Sequence, residues 1–174
     1  RQAGDPDVDR YVDRLRGDGT ERARAVDALT INETSWFRDL APYQAFTDTV
    51  LPQLLATRGA RRHLDIWSAA CSSGQEAYSL AMVLAEHFQE ALAGWSVRIL
   101  ATDFSEAVLA RAREGLYADL EVARGLPVEL RDKYFVRLQG KWSIAHECRR
   151  RVEMRRLNLI EPWQAIPPCD IVFL

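Results

Sequence analysis

Four short stretches of this sequence carry side chains whose types and spacing could do chemistry. The first is WSAACSSGQE, residues 67–76, which follows a short apolar run and opens an amphipathic one. Its small, turn-prone residues let a ligand approach the backbone, and the helix that follows would offer free N–H groups and a partial positive charge. The loop is not GxGxxG: Gly74 is its one glycine, after Ala69, Ala70, Cys71, Ser72 and Ser73. Glu76 can face a ligand or close a capping box, Ser73-x-x-Glu76, and spacing alone favours the cap. The second stretch is ILATDFS, where Asp103 ends an apolar run. A carboxylate there can accept both hydroxyls of a ribose, or it can cap the next helix, a job for which Ser105 competes. The third is Asn158-Leu159. An amide beside an apolar residue could hold the edge and face of an adenine, though alone the pair reads as a plain loop asparagine and its neighbour. The fourth is NETSWFR, residues 32–38. Trp36 and Phe37 would anchor it to a core. Arg38, about one helical turn from Thr34, could orient an anion; the alternative is a helix start capped by Asn32 or Thr34.

These stretches need elements to hold them. Residues 1–29 read as two polar helices broken at GDGT, with Tyr11, Val12 and Leu15 on one face and Thr20 as the second cap. Their arginines read as a solvated face balanced by aspartates, or as a docking surface for an acidic partner. A helix over about 40–57 has Pro42 in its first turn, Pro52 as a break or kink, and Gly59 as its C-cap. From residue 63 strand and helix alternate: HLDIWSA, a helix over 73–88, WSVRILATD, a helix from Ser105 to Gly115, broken helices over 117–135, a hairpin at YFVRLQGKWSIA, and the strands RVEMRRLNL and CDIVFL. Such alternation predicts a parallel sheet with helices on both faces. The wholly apolar Ile171–Leu174 reads as a central strand, and a chain ending there is expected to be a fragment.

Composition narrows the classes. Apolar residues make up 48% and charged residues 28% of the 174 residues, as in an ordinary globular domain. A net charge of −2 gives no reason to expect nucleic acid. The sequence holds no apolar run long enough to span a membrane as a helix, and no secretory leader is expected. Cys71, Cys148 and Cys169 form no CxxC pair and read as reduced thiols of a cytoplasmic protein. His146 with Cys148 could begin a metal site, but no further ligand cluster supports one, so no metal is expected.

Taken together and in order, ALTINETSWFRD, WSAACSSGQEAYSLAMVL, ILATDFSEAVLARAREGLY, KYFVRLQG and VEMRRLNLIEPW resemble the chemotaxis receptor methyltransferases of the CheR type. The resemblance covers nearly the whole chain. It implies an α/β fold: a Rossmann-like class I methyltransferase sheet of about four parallel strands, with a small N-terminal helical domain. It divides the chain into a partial helical domain (1–30), a linker and helix (31–62) and a methyltransferase domain (63–174) incomplete at its C-terminus. The implied cofactor is S-adenosylmethionine, and the implied reaction methylates glutamate side chains on the cytoplasmic helices of chemotaxis receptors, leaving S-adenosylhomocysteine. By the same resemblance Asn32, Thr34 and Arg38 line the pocket, with Arg38 orienting the glutamate carboxylate. Ala70 and Glu76 meet the methionine end of the cofactor, overturning the cap. Asp103 holds the ribose with Phe104 near the adenine, and Asn158 and Leu159 lie around the adenine. The family's segment beginning Arg-Asn and its small β-subdomain for receptor docking are expected to be missing. Three other readings stay open: a class I methyltransferase of another substrate, a non-catalytic module binding S-adenosylmethionine or S-adenosylhomocysteine, and, least favoured without GxGxxG, a plain dinucleotide-binding domain. Oligomeric state is not legible.

Overall fold

A computed structural model describes residues 7–30, 32–163 and 166–174. Residues 1–6 of the first helical stretch, and Ile31 at the foot of the fourth motif, lie outside them. The chain forms two compact units, Arg1–Asn32 and Glu33–Leu174.

In the first unit, α1 (Val8–Gly17) starts at Asp7, whose carboxylate accepts from the Asp9 amide, and α2 (Gly19–Leu29) starts at Asp18. Thr20 is therefore not the cap. It already sits in the first turn, and the Asp18 carboxylate accepts from the Thr20 and Glu21 amides instead. Glu21 fastens the two helices to each other by accepting from Tyr11 and Arg14.

The second unit begins with the loop that carries Trp36. The expected single helix after it is three pieces: α3 (Leu40–Ala45), a π-helical turn (Phe46–Val50) and α4 (Leu51–Arg58). Pro52 explains the break. It has no N–H to return to the preceding turn, and one wider turn, with the Leu51 amide reaching the Phe46 carbonyl, absorbs the mismatch. Nor is Gly59 a left-handed cap. It stays right-handed, and Arg62 takes the positive φ, 44°, just before the first strand.

The main sheet is parallel throughout, in the order β6-β2-β1-β7, from β1 (His63–Ser68), β2 (Ser96–Asp103), β6 (Val152–Arg156) and β7 (Ile171–Phe173). Alternation sorts its side chains. Leu64, Ile66, Ile99 and Ala101 join one large core with α5 (Gln75–His87) and α6 (Glu106–Glu114). Trp67 and Leu100 face the other way, and there Leu157, Leu159, Ile166 and Cys169, from the irregular segment after β6, pack on them. Among the described residues helices thus cover one face, not both. β1→β2→β6 moves in one direction across the sheet, so right-handed crossovers place α5 and α6 on the same side. Among the described residues β7 pairs with β1 alone, and its Val172 is 52% exposed.

A second sheet was not foreseen. β3 (Leu116–Tyr117), β4 (Phe135–Leu138) and β5 (Lys141–Ile144) form a small antiparallel sheet in the order β3-β5-β4. The hairpin is the expected one, and α7 (Asp119–Ala123) and α8 (Val128–Tyr134) precede it. The expectation that the chain holds no small β-subdomain therefore fails. The two residues of β3 were too few to show a period.

Candidate functional site

The C-terminal ends of β1, β2 and β6 meet three loops. The loop after β1 is stitched to its neighbours: the Ala69 amide donates to the Phe173 carbonyl and the Cys71 amide to the Thr102 carbonyl, each at 2.9 Å. Ser72 has a φ of 48° and Gly74 of 96°, so the chain doubles back before α5 begins. A side chain at Gly74 would meet the Ala112 Cβ at 3.0 Å, a Tyr78 ring carbon at 3.1 Å and the Tyr117 hydroxyl at 3.2 Å. Only glycine fits this cradle, and Tyr117 locks it by donating to the Ser73 carbonyl at 2.9 Å.

That geometry decides the first ambiguity. Gly74 is the residue at the start of α5 and no side chain caps the helix, so Ser73 and Glu76 form no capping box. Ser73 turns to Gln75, 2.8 Å away, and Glu76 accepts from the Ser68 hydroxyl at 2.6 Å. Burial pushes the Glu76 carboxyl above the usual carboxylate range, with the Ser68 hydrogen bond and the Arg38 charge opposing it. Asp103 is also freed from capping. Ser105 caps α6 through the Val108 amide, while the two Asp103 oxygens accept from the Ser72 amide at 2.9 Å and the Ser105 amide at 3.0 Å. Each oxygen keeps a lone pair for a further donor.

The NETSWFR stretch is a loop, not a helix start: α3 begins after Asp39, and neither Asn32 nor Thr34 caps it. Trp36, 1% exposed, donates from its indole to the Glu121 carbonyl and makes edge contacts with Tyr117 and Phe135. A Cβ at Gly125 would lie 2.2 Å from the Trp36 carbonyl oxygen, so this loop sits directly on that backbone. Arg38 is held between Phe37 and Asp39, at φ of 48° and 53°. Two non-glycine residues in the left-handed region store strain where a functional side chain is expected.

Thr34, Arg38, Ala70 and Glu76 line one cleft of about 640 Å³, with Tyr43, Ser72 and Phe173 also on its wall. Four of the expected site residues are thus gathered there. Asp103 is joined to this wall through the Ser72 amide, and Phe104 is half-buried just after it. The Leu157 amide donates to the Asp103 carbonyl at 2.9 Å, which puts Asn158 one residue beyond. Asn158 itself makes the contacts of a loop asparagine, to the Ile160 amide and Glu161, and Leu159 packs on the Trp67 cluster. Asn32 is the last residue of the N-terminal unit.

Sequence reasoning missed five residues that set this site: Ser68, Tyr43, Tyr117 and the Trp67–Thr102 pair. The Trp67 indole donates to Thr102 Oγ1 at 2.9 Å, and that hydroxyl donates to the Ala69 carbonyl at 3.0 Å, tying the ends of β1 and β2 together. All are long-range contacts without a local pattern.

The donor set selects a ligand. Glu76 and Asp103 offer carboxylate oxygens, and among the described residues Arg38 is the one cation on the cleft wall. A dinucleotide's phosphates would meet two carboxylates; a ligand with an ammonium, a sulfonium and a ribose diol would meet partners. The residues present therefore fit S-adenosylmethionine.

Comparison with known proteins points the same way. Residues 32–174 match the family described as CheR methyltransferase, SAM binding domain. The chain is 41% identical to chemotaxis protein methyltransferase 1 of Pseudomonas aeruginosa, over 99% of this chain and 64% of that protein. It is 38% identical to chemotaxis protein methyltransferase Cher2 of Pseudomonas putida, again over 99% and 64%. Chemotaxis protein methyltransferase 1 of Vibrio cholerae is 41% identical over 87% of this chain, which covers 55% of that relative's length.

Proposed function

The chain belongs to the CheR methyltransferase family, through its S-adenosylmethionine-binding domain, and on that premise we propose that it methylates glutamate side chains of chemotaxis receptors. The observation that carries this reading is the cleft shared by Thr34, Arg38, Ala70 and Glu76 beside a buried Asp103 with oxygen lone pairs to spare. S-adenosylmethionine supplies an electrophilic methyl group, which a carboxylate oxygen takes as the C–S bond breaks, giving a methyl ester and S-adenosylhomocysteine.

Each residue then has a physical task. Glu76, partly desolvated, pairs with the ammonium of the cofactor's methionine end, and Ser68 keeps its carboxylate oriented. Ala70 presents no side chain that would hold the ligand off the backbone. Asp103 accepts from the ribose hydroxyls with the lone pairs its amide partners leave, Phe104 lies near the adenine, and Asn158 and Leu159 follow around it. Arg38 faces the incoming glutamate. A carboxylate is ionised at neutral pH, so no general base is needed, which accounts for a site without an acid–base pair. Alignment of the two reactants and exclusion of water carry the rate. Arg38 is suited to orienting, because it is held lightly: it donates to the Glu33 carbonyl at 3.2 Å and meets the Asp39 carboxylate at 3.9 Å.

The test uses methyl-labelled S-adenosylmethionine, a receptor cytoplasmic fragment and the full-length gene product. Alkali-labile label that disappears when the receptor glutamates are replaced by alanine supports the reading. Alkali-stable label, or label on a small molecule alone, contradicts it.

A further inference from the structure

Residues 148–156, CRRRVEMRR, put five arginines into nine positions of a chain whose net charge is −2. Nothing in the methyl-transfer reading uses them. Two are tied down at the end of β6: Arg155 pairs with Glu153 at 2.6 Å, and Arg156 donates to the Phe104 carbonyl at 3.0 Å. The other three lie at the end of α9 (His146–Arg149) and in the turn after it. Arg149 donates to the Arg113 carbonyl at 2.7 Å. Among the described residues no carboxylate pairs with Arg149, Arg150 or Arg151.

A cavity of about 400 Å³ opens beside them, lined by Tyr78, Arg113, His146, Arg149, Arg150 and Met154. It shares no lining residue with the cofactor cleft. Arg113 comes from α6, where it already pairs with the Glu106 carboxylate and donates to the Met154 carbonyl at 3.4 Å; Arg149 comes from α9 and Arg150 from the turn that follows, so two guanidiniums without a carboxylate partner among the described residues reach the hollow beside a neutralised third. The Tyr78 hydroxyl is engaged with the Ala112 carbonyl at 2.8 Å, which leaves an apolar floor of ring and thioether beneath a cationic rim. An acidic strand or helix would call for arginines spaced along a line. Converging guanidinium forks, each with paired N–H groups, suit a compact anion with several oxygens, and the volume is that of a small-molecule site.

We propose that this cavity binds a small phosphate ester carrying at least two negative charges, at a site separate from the methyl-transfer cleft. α5 connects the two, with Glu76 in one and Tyr78 in the other.

The experiment is calorimetric titration of the chain with inorganic pyrophosphate and with ATP, in low salt, with S-adenosylhomocysteine present in excess to fill the cofactor cleft. Both probes bind, and Arg150→Glu weakens each by about tenfold or more, as expected for reversing one of the charges at a multivalent anion site. Arg150 is exposed and among the described residues its side chain holds nothing else in place, so the variant keeps its fold; an unchanged melting curve verifies that, and Arg150→Ala gives the same trend at smaller size. Three results overturn the proposal: neither probe binds in the millimolar range, binding is indifferent to both Arg150 variants, or ATP binds only when S-adenosylhomocysteine is left out.

Discussion

Replacing Gly74 by alanine isolates how tightly the loop after β1 is built. The change adds one methyl group at a φ of 96°, with three atoms between 3.0 and 3.2 Å from it. Left-handed backbone costs a non-glycine residue about 1–2 kcal/mol. Crowding into a packed wall costs about 1–3 kcal/mol more, and here the wall is the α6 methyl of Ala112 and two buried tyrosines. The sum is about 3 kcal/mol, with bounds of about 2–5. For a chain of this size that lowers the melting temperature by roughly 6–12 °C. Gly140 provides the control: its φ is 78°, and a Cβ there meets nothing within 4 Å. Gly140→Ala feels the backbone term alone, about 1 kcal/mol, so the two variants differ by about 2 kcal/mol of crowding. Urea melts of both variants, read by circular dichroism, measure that difference. Equal losses at the two positions would refute the close packing on which the site's geometry rests.

Other perturbations reach the site's chemistry. Glu76→Gln keeps an acceptor for Ser68 and removes the charge, so S-adenosylhomocysteine binding falls about tenfold or more. The stability effect has the opposite sign. Burial raises the Glu76 pKa in the folded chain, so the native state holds a proton that the unfolded chain has released, and stability drops as pH rises through that window. Glu76→Gln escapes this loss and is at least as stable as the parent at neutral pH; a less stable variant contradicts it. For the parent, cofactor affinity falls on acidification before ordinary carboxylates titrate, because Glu76 protonates first, and binding titrations at successively lower pH, starting from neutral, read this. Tyr117→Phe strands the Ser73 carbonyl and costs about 1–3 kcal/mol, with faster amide exchange over 72–75; unchanged exchange counts against the lock. Arg38→Lys, in the full-length gene product, lowers kcat while the KM for the cofactor stays near its value, and unchanged turnover sinks the orienting role.

The parallel sheet was legible because its strands are short apolar runs and its helices carry one-sided stripes, patterns that depend only on neighbours in sequence. The hairpin at 135–144 and the helix from Ser105 to Gly115 were legible for the same reason, each punctuated by a glycine. Errors came where a distant partner decides. Thr20 lost its cap to Asp18, whose carboxylate reaches two amides. Glu76 lost its capping box because Gly74 reverses the chain before α5, which no spacing rule registers. β3 is two residues long and exists only because Leu116 and Tyr117 pair with Ser143 and Trp142. Leu157, Leu159, Ile166 and Cys169 cover a sheet face from outside any helix or strand, so they gave no periodic signal. Within the site, residue types named the carboxylates, but Ser68, Tyr117 and the Trp67–Thr102 pair act by position alone.

The methyl transfer proposed for this chain requires that the cleft and Asp103 together form a cofactor pocket. The most direct test is calorimetric titration of this 174-residue chain with S-adenosylhomocysteine, beside an Asp103→Ala variant verified to be folded. The expected result is saturable one-to-one binding that the variant loses or holds at least about tenfold more weakly. Binding of equal strength in parent and variant, or none by the folded parent, would contradict it.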